Sequence, residues 1–226
     1  MSAPQASAES TWRPKAVVFD LLTGLINSWS LWDASTPSGT ETEGRRWRER
    51  YLEITFSAGA YVPYEDLVRQ AAHEVGLPPS TPENLLNSWD SLQPWPEDGR
   101  VLQALRKRGY KLAVITNCSS DLGHRAAGNV EKVVNSPAGF TFDAVITAEE
   151  SGFYKPVKMA YEAVLPALGL EASEVLFVAG SAGDVQGATN AGMKVVWHNK
   201  VGLARKGEAE PLMEGRSLDE ALKGFL

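Results

Sequence analysis

The chain has 226 residues, 43% hydrophobic and 22% charged, the profile of an ordinary globular chain with room for one α/β domain or a core carrying an insertion. Lysine and arginine number 22 against 28 acidic residues, a net charge of −6 that argues against a nucleic-acid partner. The single cysteine, Cys118, rules out an intramolecular disulfide, no apolar run reaches the ~20 residues of a membrane helix, and the polar first residues lack the apolar segment of a secretory signal. A soluble, cytoplasmic protein with no membrane partner is the expectation.

Residues 1–14, rich in Ala, Ser and Pro, read as a loose tail. Five short, β-branched runs follow: Lys15–Asp20, Lys111–Thr116, Phe142–Thr147, Val175–Ala179 and Lys194–Trp197. They are apolar throughout rather than alternating, as parallel strands covered on both faces are. Helical patterns separate them at Glu97–Arg108, Ser120–Val130, Pro156–Leu168 and Asp184–Ala191, and Gly109, Gly169 and Gly192 stop three of these before the next strand. Alternating strand and helix predicts a doubly wound parallel sheet.

The connection from Asp20 to Lys111 is too long for a simple crossover. It contains apolar-periodic helices at Arg45–Ser57, Tyr64–Val75 and Pro82–Trp89, a Ser35–Gly44 loop, and five of the seven tryptophans: Trp29, Trp32, Trp47, Trp89 and Trp95. A stretch with its own core reads as an inserted helical cap over residues 27–94, leaving 15–26 and 95–226 as the core domain. Rooted beside Asp20, the insert can roof over that residue.

In an open parallel sheet, ligands bind beyond the carboxyl ends of the strands. Asp20, Thr116-Asn117, Lys155 and Asp184 fall at that edge. Singly, each has a structural reading, as a cap, a turn or a solvated lysine. Four at one edge, beneath an insert, favour a catalytic site. The chemistry they suggest is attack by a carboxylate, which is ionised at pH 7 and needs no base, on an electrophilic carbon or phosphorus. Water then hydrolyses the resulting ester. Lys155 would keep the nucleophile charged, Thr116 and Asn117 would bind substrate oxygens, and Asp184 would orient Lys155 and activate water. His73, His124 and His198 pair with no serine or cysteine, no His/Cys/Asp cluster has zinc spacing, and Cys118 reads as a small buried filler.

Phe19-Asp20-Leu-Leu-Thr-Gly24, Ile115-Thr-Asn117, Tyr154-Lys-Pro156 and Phe177-Val-Ala-Gly-Ser-Ala-Gly-Asp184 resemble, in order, the four motifs of the haloacid dehalogenase superfamily. The resemblance spans about residues 15–203 and implies a Rossmann-like core with a cap inserted after the first strand. Most members of that superfamily are magnesium-dependent phosphatases with a second Asp two residues after the nucleophile and a further acidic residue in the fourth motif. Here those positions are Leu22 and Gly180. Asp20 and Asp184 alone are few ligands for Mg²⁺.

The L-2-haloacid dehalogenase branch lacks the second Asp and works without metal. Trp47-Arg48 resembles its cap-helix Trp-Arg pair, and the spacing from Lys155 to Tyr161 resembles its lysine-to-tyrosine spacing. The resemblance implies a hydrolase in which Asp20 displaces halide from a short 2-haloacid and Arg48 receives it. Thr116 and Asn117 would hold the substrate carboxylate, while Tyr161, Leu22, Thr23 and Ser181 would line the pocket. Asp184 and Lys155 would assist the water that releases a 2-hydroxy acid. A solvated face remains the alternative for Arg48, which Arg45, Arg46 and Arg50 surround, and a core position the alternative for Tyr161. The chain departs from the branch at Gly24, where it has threonine, and at Ala179, Ser181 and Gly183, where it has serine, asparagine and tryptophan. These losses open space for a larger acid or a different electrophile. No cofactor is implied, and a homodimer is implied by analogy. Two readings remain beside this one: an Mg²⁺-dependent small-molecule phosphatase, and a repurposed member that binds a ligand without turning it over.

Overall fold

The computed structural model describes residues 12–134 and 139–226. Each apolar run forms a strand: β1 (Ala16–Asp20), β2 (Lys111–Thr116), β3 (Ala144–Thr147), β4 (Val175–Ala179) and β5 (Lys194–His198). A short β6 (Glu214–Gly215) extends the edge beside β5, and among the described residues all six lie parallel in the order β3-β2-β1-β4-β5-β6. Along β1, Val17 and Phe19 enter one core cluster with Val114 and Val178, while Ala16 and Val18 enter another with Ala113 and Phe177. Side chains alternate across the sheet and both faces are covered, so the strands need no polar positions. This is the doubly wound α/β core that the pattern predicts.

Helices follow the strands. In chain order they are α1 (Ser28–Ser35), α2 (Glu41–Ala58), α3 (Tyr64–Glu74), α4 (Ser80–Asn87), α5 (Asp98–Lys107), α6 (Ser120–Val133), α7 (Ala148–Ser151), α8 (Lys158–Glu162), α9 (Leu165–Leu168), α10 (Ala182–Asn190) and α11 (Leu218–Ala221). Gly109 and Gly192 turn the chain with φ of 85° and 88°, a conformation that costs glycine little. The pattern over Pro156–Leu168 predicts one helix; the structure has two, α8 and α9. Pro166 lacks an N–H and its ring would clash with the carbonyl four residues back, so the helix breaks before it.

The long connection is helical from α1 to α4. It leaves and rejoins the sheet layer side by side: Ile26 and Pro94 form an antiparallel bridge, and the Trp95 N–H donates to the Leu25 carbonyl at 3.0 Å. Its interior is aromatic. Trp32 lies 4.3 Å from Trp47 and 5.1 Å from Tyr51, Tyr51 lies 5.4 Å from Tyr64, and Tyr64 lies 5.7 Å from Trp89 between ring centres. The loop expected over Ser35–Gly44 is shorter, because α2 already starts at Glu41. Gly44 is not a breaker there. A Cβ on it would come within 2.6 Å of Asp33 Cα, so the glycine lets α1 and α2 pack closely.

Of the loose tail expected over residues 1–14, residues 1–11 lie outside the described residues. Trp12 is anchored, donating from Nε1 to the Ser173 carbonyl at 3.0 Å and meeting Phe225 edge-on. Among the described residues no helix is long and apolar enough to cross a membrane.

Candidate active site

Parallel strands bring all their carboxyl ends to one edge, and the order β2-β1-β4 puts the chain's change of direction between β1 and β4. Asp20 ends β1 and leads into a single wide turn, Leu21–Leu25, closed by the Ile26 N–H on the Leu21 carbonyl at 2.9 Å. This π-type turn aims two backbone N–H groups, those of Thr23 and Gly24, at Asp20 Oδ2, each at 2.8 Å. The Thr23 hydroxyl donates to the same oxygen. Asp20 Oδ1 accepts from Lys155 Nζ at 2.7 Å. The ammonium also donates to Asp184 Oδ2 at 3.2 Å. Asp184 stands in the first turns of α10 beneath its cap residue Ser181, whose hydroxyl donates to Oδ2 at 3.0 Å.

Asp20, Lys155 and Asp184 are 5%, 2% and 2% exposed, so their mutual charges act with little screening. Burial pushes the Asp20 carboxyl up, but Lys155 and the hydrogen bonds from Lys155 and Thr23 outweigh it and hold the group below the usual carboxylate value. Burial and the neighbouring Asp20 together hold Asp184 above that value despite Lys155. Burial lowers Lys155, and the two carboxylates more than restore it. Asp20 is therefore the ionised carboxylate and Asp184 the more basic one.

Arg48 comes down from α2 into the same chamber. It is 2% exposed, its guanidinium lies 4.4 Å from the centre of the Trp29 ring and 5.4 Å from that of Trp32, and Nη2 donates to the Leu22 carbonyl at 3.3 Å. Nε and Nη1 have no partner among the described residues. Burial pulls Arg48 down to about 10, so it remains charged at neutral pH. The solvated-face alternative is thereby removed: Arg45 and Arg50 pair with exposed glutamates while Arg48 turns inward.

The chamber, about 30 Å³, is lined by Asp20, Leu22, Thr23, Arg48, Thr116, Asn117, Lys155, Ser181 and Asp184. Two expectations change. Asn117 borders the chamber, but its side-chain amide is committed to the Lys155 backbone, accepting from its N–H at 2.7 Å and donating to its carbonyl at 3.0 Å. It therefore sets the position of Lys155. Tyr161 is fully buried outside the chamber and donates to Asp184 Oδ1 at 2.8 Å, so it orients Asp184 instead of lining the pocket. Thr116 also borders the chamber, and its buried hydroxyl has no partner among the described residues.

Sequence reasoning passed over Leu52, Tyr51 and Phe56, which also line the chamber from α2. Their spacing of four, three and eight residues from Arg48 marks one helical face, and that was the available signal. The Tyr51 hydroxyl donates to the Asn117 carbonyl at 3.0 Å, tying α2 to the end of β2. Cys118 is buried in the core and its thiol is pushed well up, as expected of a filler.

The residues present do not fit a magnesium centre. Lys155 Nζ already sits between the two carboxylates, and Asp20 Oδ2 is taken by three donors. No cluster of three or more His, Cys, Asp or Glu suited to a metal occurs among the described residues. An acidic side chain at position 180 has no room either, because a Cβ there would run into the backbone of Thr23 and Gly24.

A family model described as haloacid dehalogenase-like hydrolase matches residues 34–192. The chain belongs to this family. Among its relatives, it is 31% identical to the (S)-2-haloacid dehalogenase of Pseudomonas sp. (strain YL), over 83% of this chain and 84% of that protein. It is 29% identical to haloacetate dehalogenase H-2 of Moraxella sp. (strain B), over 84% and 88% of the two chains. Its structure is similar to that of the L-2-haloacid dehalogenase from Xanthobacter autotrophicus with chloropropionic acid covalently bound, with a TM-score of 0.77, 25% identity, and 91% and 96% of the chains covered. Like the rest of the haloacid dehalogenase-like family, this chain is a hydrolase.

Proposed function

We propose that the protein hydrolyses short 2-haloacids to 2-hydroxy acids through an aspartyl ester on Asp20, with residues 27–94 as the cap over the site. The observation that carries the reading is a buried guanidinium, Arg48, with free N–H donors in the same buried chamber as a carboxylate held ionised by Lys155. The first is suited to a departing anion and the second to attack on carbon. The names and covalent complex of the similar dehalogenases support the same chemistry.

Asp20 Oδ1 has one donor against three on Oδ2, so Oδ1 has the freer lone pair. It attacks C2 of the haloacid; the carbon–halogen bond breaks and the halide leaves toward Arg48. The Thr116 hydroxyl is free to bind the substrate carboxylate. Oδ2 has become the ester carbonyl oxygen, still facing the Thr23 and Gly24 N–H groups at 2.8 Å. Water then attacks the Asp20 carboxyl carbon, with Asp184 accepting its proton, and the two N–H groups stabilise the developing oxyanion. The bond from the carboxyl carbon to the substrate oxygen breaks. The products are the 2-hydroxy acid, halide and one proton, and Asp20 keeps an oxygen from water. A homodimer is the assembly we propose on the analogy with the dehalogenase branch.

The test is halide release from racemic 2-chloropropionate in EDTA. Wild type releases halide and Asp20→Asn does not, and single turnover in heavy-oxygen water leaves the label in Asp20. Full turnover by Asp20→Asn, or wild-type turnover only on added Mg²⁺, overturns the reading.

A further inference from the structure

The reacting chamber is small. Its roughly 30 Å³ holds only one or two waters. Beside it lies a second cavity of about 260 Å³. Leu52, Phe56 and Ser181 line both, so the two spaces are neighbouring compartments with a common wall. The larger one runs between the second half of α2 and the segment after β5, where Leu203 and Ala204 face it, with Lys206, Glu49 and Glu53 also among its lining residues.

Its floor depends on one glycine. Gly183 lies against the Phe56 ring, and a Cβ at this position would come within 2.8 Å of Phe56 Cε2. The ring therefore rests where a larger residue at 183 would displace it, and Phe56 forms part of the wall between chamber and groove. A side chain on C2 longer than methyl exceeds the chamber and has this groove as its adjacent space. The groove is lined mainly by apolar side chains, with two carboxylates and one ammonium among its charged groups. That composition suits a neutral apolar tail and opposes a second carboxylate.

We propose that this groove is the subsite for the apolar C2 substituent, and that it makes the enzyme selective for 2-haloalkanoates of about six carbons over 2-halopropionate. The proposal rests on the dehalogenase reading above. Each methylene buried adds roughly two- to fourfold in binding, so 2-chlorohexanoate should exceed 2-chloropropionate about tenfold or more in kcat/KM.

The experiment compares these two substrates on wild type, Leu203→Trp, which fills the groove, and Phe56→Ala, which widens it. Calorimetry of the halogen-free acids hexanoate and propionate runs in parallel. The expected result is a hexanoate preference in both turnover and binding that collapses in Leu203→Trp and shifts to longer acids in Phe56→Ala. Equal handling of the two acids by wild type, or a preference that survives Leu203→Trp, overturns the subsite. Halide release from neither substrate, with a groove-dependent binding preference, overturns the dehalogenase reading and leaves the subsite supported.

Discussion

His198 Nδ1 lies 2.7 Å from the carbonyl oxygen of Gly24, the residue whose N–H lies 2.8 Å from Asp20 Oδ2. Facing a carbonyl, Nδ1 must carry the proton, and burial lowers the His198 pKa so that the ring stays neutral. His198 ends β5 and does not line the chamber. It pins the turn that feeds two N–H groups to Asp20. His198→Phe should lower kcat about three- to tenfold, the worth of one hydrogen bond, with KM little changed. His198→Gln, which can donate to the same carbonyl, should recover most of the loss. Steady-state kinetics on 2-chloropropionate checks both.

Lys155 is the charge that permits two buried carboxylates in one chamber. In Lys155→Met one of them must take a proton, and Asp20 loses the interaction that keeps it below the ordinary carboxylate value. Activity should fall on the order of 10³-fold. What remains should have its acid limb moved to higher pH, and a pH–rate profile against wild type reads this directly. An unmoved acid limb would mean that Lys155 does not set the ionisation of Asp20.

Asp98 opens α5 fully buried, and neither carboxylate oxygen has a partner among the described residues. Burial raises its pKa to about 9. The folded state thus keeps a proton that the unfolded chain gives up near pH 4. Because the folded value is the higher one, stability is lost as pH rises between about 4 and 9. Asp98→Asn removes that loss, so the variant should be the more stable by a few kcal/mol at neutral pH, an order-of-magnitude figure. Its advantage should grow across the window. Thermal melts of the pair from pH 5 to pH 8.5 test it, and a constant offset would contradict the linkage.

Gly180 follows β4, and a Cβ there would meet the backbone of Thr23 and Gly24 and approach the Thr23 hydroxyl oxygen to 2.5 Å. Gly180→Ala should displace the turn that holds Asp20, costing about 1–3 kcal/mol of stability by overpacking. It should also cost on the order of 10²-fold in kcat through the lost N–H donors. Gly180→Asp should gain no phosphatase activity with Mg²⁺, since it carries the same Cβ. Phosphate-ester assays alongside denaturant melts separate the two effects.

The sheet was legible because burial on both faces writes itself into a strand as an uninterrupted apolar run. β1, β2 and β4 fall within a residue of the runs that mark them. Asp20, Lys155 and Asp184 were legible for a related reason: chain direction in parallel strands sends every strand's carboxyl end, and the segment that follows it, to one edge. The helix break before Pro166 was less so, because the apolar period continues across it.

Who touches whom at that edge was decided only by tertiary structure. Asn117 and Tyr161 carry the right chemistry for a substrate pocket, yet the first holds the Lys155 backbone and the second holds Asp184. Hydrogen-bond partners of this kind depend on how segments distant in the chain are set against each other, to within a few tenths of an ångström. Among four arginines on one helix, Arg48 alone is buried, with its guanidinium over Trp29 and Trp32, and those rings come from α1. Local periodicity, a property of neighbouring residues, determined the scaffold and the inventory of the site. The placement of α2 over the turn after β1, beside α10 and across from the segment after β5, assigned each member its task and shaped the groove beside them.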